Sequence, residues 1–205
     1  LGRPPRLPYT LEDMADDAVA VLDALGLAKA HVVGVSMGGM IAQIVAAKHA
    51  DRVLSLVSIM SSSGNPWLKP PRREVLKLLL SRPPDGRDPE AVIAHMTRFF
   101  RAIGGPVHRR DDADLRARMT RAISRAYDPA GVRRQLLAII ASGDRRSLLR
   151  RITTPSLVIH GQLDPLVRLD AGRDTARNIP GARLRIIDDM GHDLSEPLCD
   201  PLAAT

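Results

Sequence analysis

The fold is indicated by residues 31–39, whose sequence is HVVGVSMGG. An apolar run rich in valine ends in a turn that places a serine between glycines, and a run of small residues follows. This pattern is typical of a nucleophile elbow, a sharp strand-to-helix turn from which a serine hydroxyl projects. We expect Ser36 to be a nucleophile, and Gly34 and Gly38 to flank it because Cβ atoms there would collide in so tight a bend. The alternative is an ordinary serine in a glycine-rich turn.

Strands and helices alternate around this stretch. Thr10 and Asp13 form a capping signal for a helix that Gly26 ends. The later elements are listed in chain order: a strand buried on both faces at 30–35, a helix at 37–49, a strand at 53–59, a strand at 156–160, a helix at 168–178 and a strand at 184–187. This order predicts an α/β fold with a mostly parallel sheet flanked by helices.

The middle of the chain has a different pattern. Residues 66–151 contain no convincing strand, and proline and glycine clusters separate their helical stretches. The predicted helices cover 70–81, 88–103, 111–126 and 128–142. We therefore expect a core formed by residues 1–65 and 152–205, interrupted by an all-helical cap insertion at 66–151.

Two partners for the serine follow it in the chain. Asp164 lies in HGQLDP at 160–165, and His192 lies in MGHD at 190–193. Each follows a predicted strand, and parallel strands place functional groups at their carboxyl ends, so we expect both to meet Ser36 at one edge of the sheet. His192 is then the base, Asp164 orients it, and the backbone N–H of Met37 supplies half of an oxyanion hole.

Each of these assignments has an alternative. Asp164 precedes a proline and is also suited to a simple turn. Other carboxylates are less suitably placed for orienting the base: Asp170, Asp188, Asp189 and Asp193. The remaining histidines also lie in less suitable contexts: His31, His49, His95, His108 and His160.

Composition and charge narrow the class of protein. The net charge is +7, and residues 72–151 carry nineteen basic against nine acidic residues. Because these charges are interspersed at helical spacing and no recognition motif accompanies them, we expect no nucleic-acid partner. The chain has no apolar run of 18 residues, so we expect no membrane span.

Cofactor and redox signals are also lacking in the sequence. No metal-ligand spacing and no phosphate-binding glycine loop occurs, so we expect neither a metal nor a cofactor. Cys199 is the only cysteine, which excludes an internal disulfide and suits a reducing, cytoplasmic location. The sequence does not indicate an oligomeric state.

The motifs at 34–39, 160–165 and 191–192, with the approach YTLEDM at 9–14, together resemble the α/β-hydrolase superfamily. The similarity is greatest to small cap-bearing esterases, including methyl esterases of polyketide pathways. This resemblance implies that Ser36, Asp164 and His192 form the catalytic triad and that the 66–151 insertion is a lid. We expect Met60 and Trp67 to line the substrate pocket, although Trp67 is equally suited to a core position.

The expected reaction is the cleavage of a carboxylic ester of a small, largely apolar substrate through an acyl-enzyme. Two alternatives remain: a non-catalytic small-molecule-binding protein of this fold, and a perhydrolase or carbon–carbon hydrolase that uses the same triad without a cofactor.

Compared with the family pattern, the sequence starts late and ends early. Members of the family have several strands before the elbow, and the loop after one of these strands supplies the second N–H of the oxyanion hole. They also have a helix after the catalytic histidine. We therefore expect a piece of a longer protein with the last four strands of the sheet, an exposed elbow strand and little activity of its own.

Overall fold

The computed structural model describes residues 7–107 and 111–198. Cys199 and His108, which were considered above from the sequence, lie outside the described residues. None of the described helices combines the length and apolar character that crossing a membrane requires.

The elements follow the predicted order. The helices are α1 (Leu11–Ala24), α2 (Met37–Lys48), α3 (Arg73–Leu79), α4 (Pro89–Ile103), α5 (Asp112–Arg125), α6 (Pro129–Ser142), α7 (Arg146–Leu149) and α8 (Leu169–Asn178). The strands are β1 (Ala30–Val35), β2 (Val53–Ile59), β3 (Ser156–Gly161) and β4 (Arg183–Ile187). Short 3₁₀ turns occupy Ala50–Arg52 and Glu196–Leu198. Every predicted strand is present, whereas the four-residue helix α7 was not predicted because it is shorter than a hydrophobic repeat.

The four strands form one sheet in the order β1-β2-β3-β4. The pairs β1–β2 and β2–β3 are parallel, and the described residues of the 66–151 region contain helices but no strand. The predicted fold class, a mostly parallel sheet with helices and an all-helical insertion, is confirmed.

Strand β1 differs from the prediction in its burial. Val32 packs against the core, but Val33 is 62% exposed. Successive side chains of a strand point to opposite faces, and within the described residues only the Val32 face is covered. The expectation of a strand buried on both faces is therefore wrong for β1, which lies at the edge of this sheet.

The chain divides into two compact units. The first contains Leu1–Leu68, Ala130–Ile159 and Asp170–Arg185, and the second contains Lys69–Pro129, His160–Leu169 and Ile186–Thr205. This division separates the predicted 66–151 insertion into two parts, because α6 and α7 group with the first unit. The predicted domain boundaries stay a prediction.

Each unit has its own apolar core. In the first unit, α1 and α2 pack together, and Leu11, Ile44 and Leu56 are among the buried core residues. Helix α1 begins with the predicted capping box, in which Thr10 and Asp13 bond each other's backbone N–H groups. In the second unit, α4 and α5 pack together around a smaller buried cluster of Ile93, Leu115 and Met119.

Candidate active site

Ser36 lies in the first unit, at the turn between β1 and α2. Its backbone has φ 55° and ψ −119°, a conformation that non-glycine residues adopt at a cost of about 1–3 kcal/mol. The turn is held in this conformation by hydrogen bonds. The Ser36 N–H donates to the Ile59 carbonyl (2.9 Å), and the Ser36 carbonyl accepts from the Gly39 N–H (3.0 Å) and the Ser61 hydroxyl (2.8 Å). The result is the strained geometry of a nucleophile elbow.

The glycines near Ser36 differ in how much space a side chain would have at each position. A Cβ atom on Gly34 would overlap the carbonyl group of Gly38, as expected. A Cβ atom on Gly38 would have no atom within 4 Å, so the expectation of a collision there is wrong. Gly38 is the second residue of α2 and its missing side chain would point into open space. Gly39, one position further around the helix, is the crowded one, because its Cβ would lie 2.6 Å from the Ser61 Cβ.

Met37 is the first residue of α2. The first N–H groups of a helix have no partner within the helix, and the helix dipole makes this end favourable for negative charge. The Met37 side chain packs against the first-unit core. Its backbone N–H lies at the end of α2 that favours negative charge, and its assignment to an oxyanion hole stays a prediction.

The two residues expected to line the substrate pocket differ in their exposure. Met60 directly follows β2, is 1% exposed and has a positive φ of 41°. Its N–H donates to the Ile159 carbonyl at 2.8 Å. Trp67 is 87% exposed, so the alternative that it belongs to the core is wrong. The pocket role of both residues stays a prediction.

In the second unit, Asp164 and His192 form a buried pair. Asp164 follows β3 and is 2% exposed, while His192 follows β4 and is 8% exposed. The Asp164 Oδ2 atom lies 2.6 Å from His192 Nδ1. The other oxygen, Oδ1, accepts from the backbone N–H groups of Leu166 (2.9 Å) and Val167 (2.8 Å). The two interpretations of Asp164, as a turn residue and as the partner of the histidine, thus apply to different atoms of one carboxylate.

This contact assigns the tautomer of the imidazole. A carboxylate only accepts hydrogen bonds, so Nδ1 of His192 carries the proton that it donates to Asp164. In the neutral ring, Nε2 is then the nitrogen that carries the lone pair.

His160, at the end of β3, lies beside the same carboxylate. It is fully buried, and its Nε2 donates to the Val167 carbonyl at 2.8 Å and lies 3.6 Å from the Asp164 Oδ2 atom. By its sequence context, His160 is only an alternative to His192 as the base. Its position four residues before Asp164, at the end of an apolar strand, was the available signal that it lies beside this carboxylate.

The loop that carries His192 is held by the end of α4 and by the segment that follows it. The His192 N–H donates to the Ile103 carbonyl at 2.8 Å, and the Gly105 N–H donates to the Asp193 Oδ1 atom at 3.3 Å. The two backbones approach so closely that a Cβ on Gly191 would overlap Gly105. The position of His192 is therefore set by a backbone contact that the sequence pattern does not indicate.

Other candidate histidines have local roles. The His31 Nδ1 atom lies 2.8 Å from the Ser55 hydroxyl, and the His49 Nε2 atom lies 2.9 Å from an Asp16 carboxylate oxygen. Within residues 7–107 and 111–198, no group of three or more histidine, cysteine or carboxylate side chains is arranged to hold a metal ion.

The predicted triad is thus divided between the two units. The structure brings Asp164 and His192 into hydrogen-bonding distance in the second unit, and it places Ser36 on a strained elbow in the first. The contact of Ser36 with His192 stays a prediction.

A family model described as the alpha/beta hydrolase fold matches residues 2–196. The chain belongs to the α/β-hydrolase family. Its relatives are named as hydrolases and esterases, and the chain is a hydrolase of this fold.

Three relatives illustrate the similarity. The chain is 32% identical to the rhodomycin D methylesterase DauP of Streptomyces sp. (strain C5), over 96% of this chain and 72% of that protein. It is 30% identical to the rhodomycin D methylesterase DnrP of Streptomyces peucetius, over 96% of this chain and 72% of that protein. Among solved structures, a meta-cleavage product hydrolase from Pseudomonas fluorescens IP01 superposes with a TM-score of 0.73 at 22% identity, covering 99% of this chain and 71% of that one. This last likeness concerns the fold alone.

Proposed function

We propose that the protein is a serine esterase that hydrolyses a carboxylic ester of a small, largely apolar substrate through Ser36, His192 and Asp164. The observation that carries the proposal is the buried 2.6 Å contact between Asp164 Oδ2 and His192 Nδ1. It leaves the other ring nitrogen as a proton acceptor, which is what a serine hydroxyl needs in order to become a nucleophile.

In the first half-reaction, the Ser36 Oγ atom attacks the ester carbonyl carbon while His192 Nε2 takes the hydroxyl proton. The carbonyl oxygen becomes an oxyanion, and the Met37 N–H at the start of α2 donates to it. The tetrahedral intermediate then collapses, the bond to the alcohol oxygen breaks, and His192 returns its proton to the leaving alcohol. Asp164 holds the imidazole in one tautomer and stabilises the positive ring throughout.

In the second half-reaction, a water molecule replaces the alcohol. His192 Nε2 takes a proton from the water as its oxygen attacks the acyl carbon. The second tetrahedral intermediate releases Ser36, which recovers its proton from His192, and the product is a carboxylic acid.

The lid role of the 66–151 helices and the cytoplasmic location both stay predictions.

The similarity to two proteins named methylesterases supports a methyl ester as the substrate class. A methyl group occupies little space, so an enzyme that prefers methyl esters must exclude larger alcohol groups from the part of its pocket that holds the alcohol. We therefore expect methyl esters of apolar acids to be cleaved faster than the corresponding butyl esters.

The experiment compares methyl and butyl esters of one apolar acid, such as phenylacetic acid, with the full-length protein. We expect a higher kcat/KM for the methyl ester and no turnover above background in Ser36→Ala. The matched control is Ser81→Ala, which replaces an exposed serine and should leave the rates unchanged. Turnover that survives Ser36→Ala contradicts the mechanism, and faster cleavage of the butyl ester contradicts the substrate class. A folded protein with no turnover of any ester favours the alternatives, a binding protein or a different reaction of the same triad.

A further inference from the structure

The second unit contains a cavity of about 500 Å³ between α3, α4 and the loop after β3. Its lining includes three arginines, Arg72, Arg98 and Arg101, and one carboxylate, Glu74. We infer that this cavity binds the carboxylate group of a small ligand that also has an apolar part.

The charge of the lining favours an anion. Arg101 forms an ion pair with Asp112, and an Arg98 Nη2 atom lies 3.5 Å from His95 Nδ1. Even when Glu74 and Asp112 are both counted, the three arginines leave the cavity with a net positive charge. A guanidinium group offers a planar fork of N–H donors that matches the two oxygens of a carboxylate.

Arg72 is fixed close to the loop that carries Asp164. It immediately precedes α3, and its backbone N–H donates to the Pro165 carbonyl at 2.8 Å. Its position relative to the cavity is therefore set by a backbone contact, although its side chain reaches solvent. The cavity is open, so solvent and salt screen the arginines and we expect binding in the millimolar range rather than tighter.

The rest of the lining is mostly apolar and argues against a bare inorganic anion. Val75 is 2% exposed at the cavity wall, and Ala102, Leu163 and Pro165 add apolar surface. Each methylene group buried against such a surface raises affinity by about fourfold. An acid with a short apolar chain therefore uses both parts of the lining, whereas phosphate uses only the arginines.

The cavity also touches both segments that hold the Asp164–His192 pair. Leu163 and Pro165 flank Asp164, and Gly104 and Pro106 flank Gly105, whose N–H bonds the residue after His192. Hydrolysis of an ester releases an acid of the inferred class. Binding of such an acid in this cavity requires no hydrolysis and is therefore independent of the proposed function.

The test is a titration of the ¹⁵N-labelled full-length protein with hexanoate, followed by NMR, with hexanamide and inorganic phosphate as comparison probes. We expect saturable shifts of the Arg72, Gly104 and Leu163 amides with hexanoate, and at least tenfold weaker binding of the neutral hexanamide. Arg72→Gln and Arg98→Gln should each weaken hexanoate binding by about tenfold, since each removes one charge-assisted contact. Arg73→Gln is the matched control, because Arg73 is an adjacent arginine outside the lining, and it should bind like the unaltered protein.

Several results would overturn the inference. Two concern the comparison probes: hexanamide that binds as tightly as hexanoate, or phosphate that binds as tightly as hexanoate. The others concern the site: a hexanoate affinity that neither Arg72→Gln nor Arg98→Gln reduces, or saturable shifts that are confined to other parts of the chain. The Ser36→Ala protein separates this site from the proposed reaction. Hexanoate binding that persists in Ser36→Ala supports the inference even if no ester is hydrolysed. If ester hydrolysis is confirmed and hexanoate does not bind, the inferred binding site is wrong while the proposed function stands.

Discussion

Asp164 uses its two carboxylate oxygens for two different partners: Oδ2 lies 2.6 Å from His192 Nδ1, and Oδ1 accepts from the backbone of Leu166 and Val167. One oxygen shapes the turn after β3, and the other orients the imidazole. The carboxylate is itself fixed by backbone donors, so the direction in which it holds His192 is set by the fold.

This division predicts the effect of Asp164→Asn. An asparagine keeps an oxygen for the turn but presents an NH₂ group to His192 Nδ1, which favours the wrong tautomer of the ring. We expect kcat for ester hydrolysis to fall by about 10⁴-fold, with little change in the midpoint of thermal unfolding. Asp189→Asn, at an exposed carboxylate, is the control and should keep full activity. A loss of less than tenfold in Asp164→Asn would show that the pair does not serve catalysis.

The elbow predicts opposite outcomes for two neighbouring glycines. Gly34→Ala places a methyl group against the Gly38 carbonyl, whereas Gly38→Ala places it in open space on a helix. We expect Gly34→Ala to unfold at a markedly lower denaturant concentration and to lose activity. Gly38→Ala should be at least as stable as the unaltered protein, because alanine favours a helix by about 1 kcal/mol over glycine. Equal denaturation midpoints for the two variants would show that the bend is not as tight as described.

The loop of His192 predicts a similar contrast in the segment after α4. A Cβ on Gly105 would lie 2.6 Å from the Asp189 carbonyl oxygen, whereas a Cβ on Gly104 would make no contact shorter than 3.4 Å. We expect Gly105→Ala to displace the loop and lower kcat by at least tenfold, with a smaller effect on KM. Gly104→Ala should retain most of the activity. Steady-state kinetics on a methyl ester separate the two, and equal kcat values would argue against the positioning of His192 by this contact.

The buried Arg145 predicts a loss of stability rather than of activity. Its guanidinium group donates to the Ser62 carbonyl (2.8 Å), the Ser142 hydroxyl (3.0 Å) and the Gly143 carbonyl (3.1 Å), and burial lowers its pKa to about 10. Arg145→Ala leaves these acceptors without their donor, and we expect the free energy of unfolding to fall by about 3 kcal/mol. Arg146→Ala, which removes only a half-buried partner of the exposed Asp144, should cost much less. Similar urea midpoints for the two variants would contradict this account of the loop after β2.

The parts of the candidate site that short motifs encode could be predicted from the sequence. The elbow at Ser36 and the order of Asp164 and His192 depend on residues within a few positions of each other and on the ends of strands. The supports of these residues could not be found in this way, because they come from distant segments. Ile103 reaches His192 across about ninety positions, and Ser61 crowds Gly39 only after β1 and β2 have paired.

The exposure of individual side chains was also beyond the sequence. Val33 and Trp67 are apolar residues that a pattern assigns to a core or a pocket, yet both are largely exposed in the described structure. Burial depends on which elements cover a face, and periodicity within one element carries no information about its neighbours. The same limit explains the error at Gly38, where the direction of a missing side chain decides the outcome.

The measurement that tests the central claim most directly is covalent labelling with a fluorophosphonate ester, followed by peptide mass spectrometry. A serine that His192 activates attacks the phosphorus and expels fluoride, leaving a stable phosphonyl ester on its oxygen. We predict a single adduct on the peptide that contains Ser36, which is absent in Ser36→Ala and slowed by at least a hundredfold in His192→Ala. Labelling at another serine, or labelling of Ser36 at an unchanged rate in His192→Ala, would contradict the assignment of Ser36 and His192 as nucleophile and base.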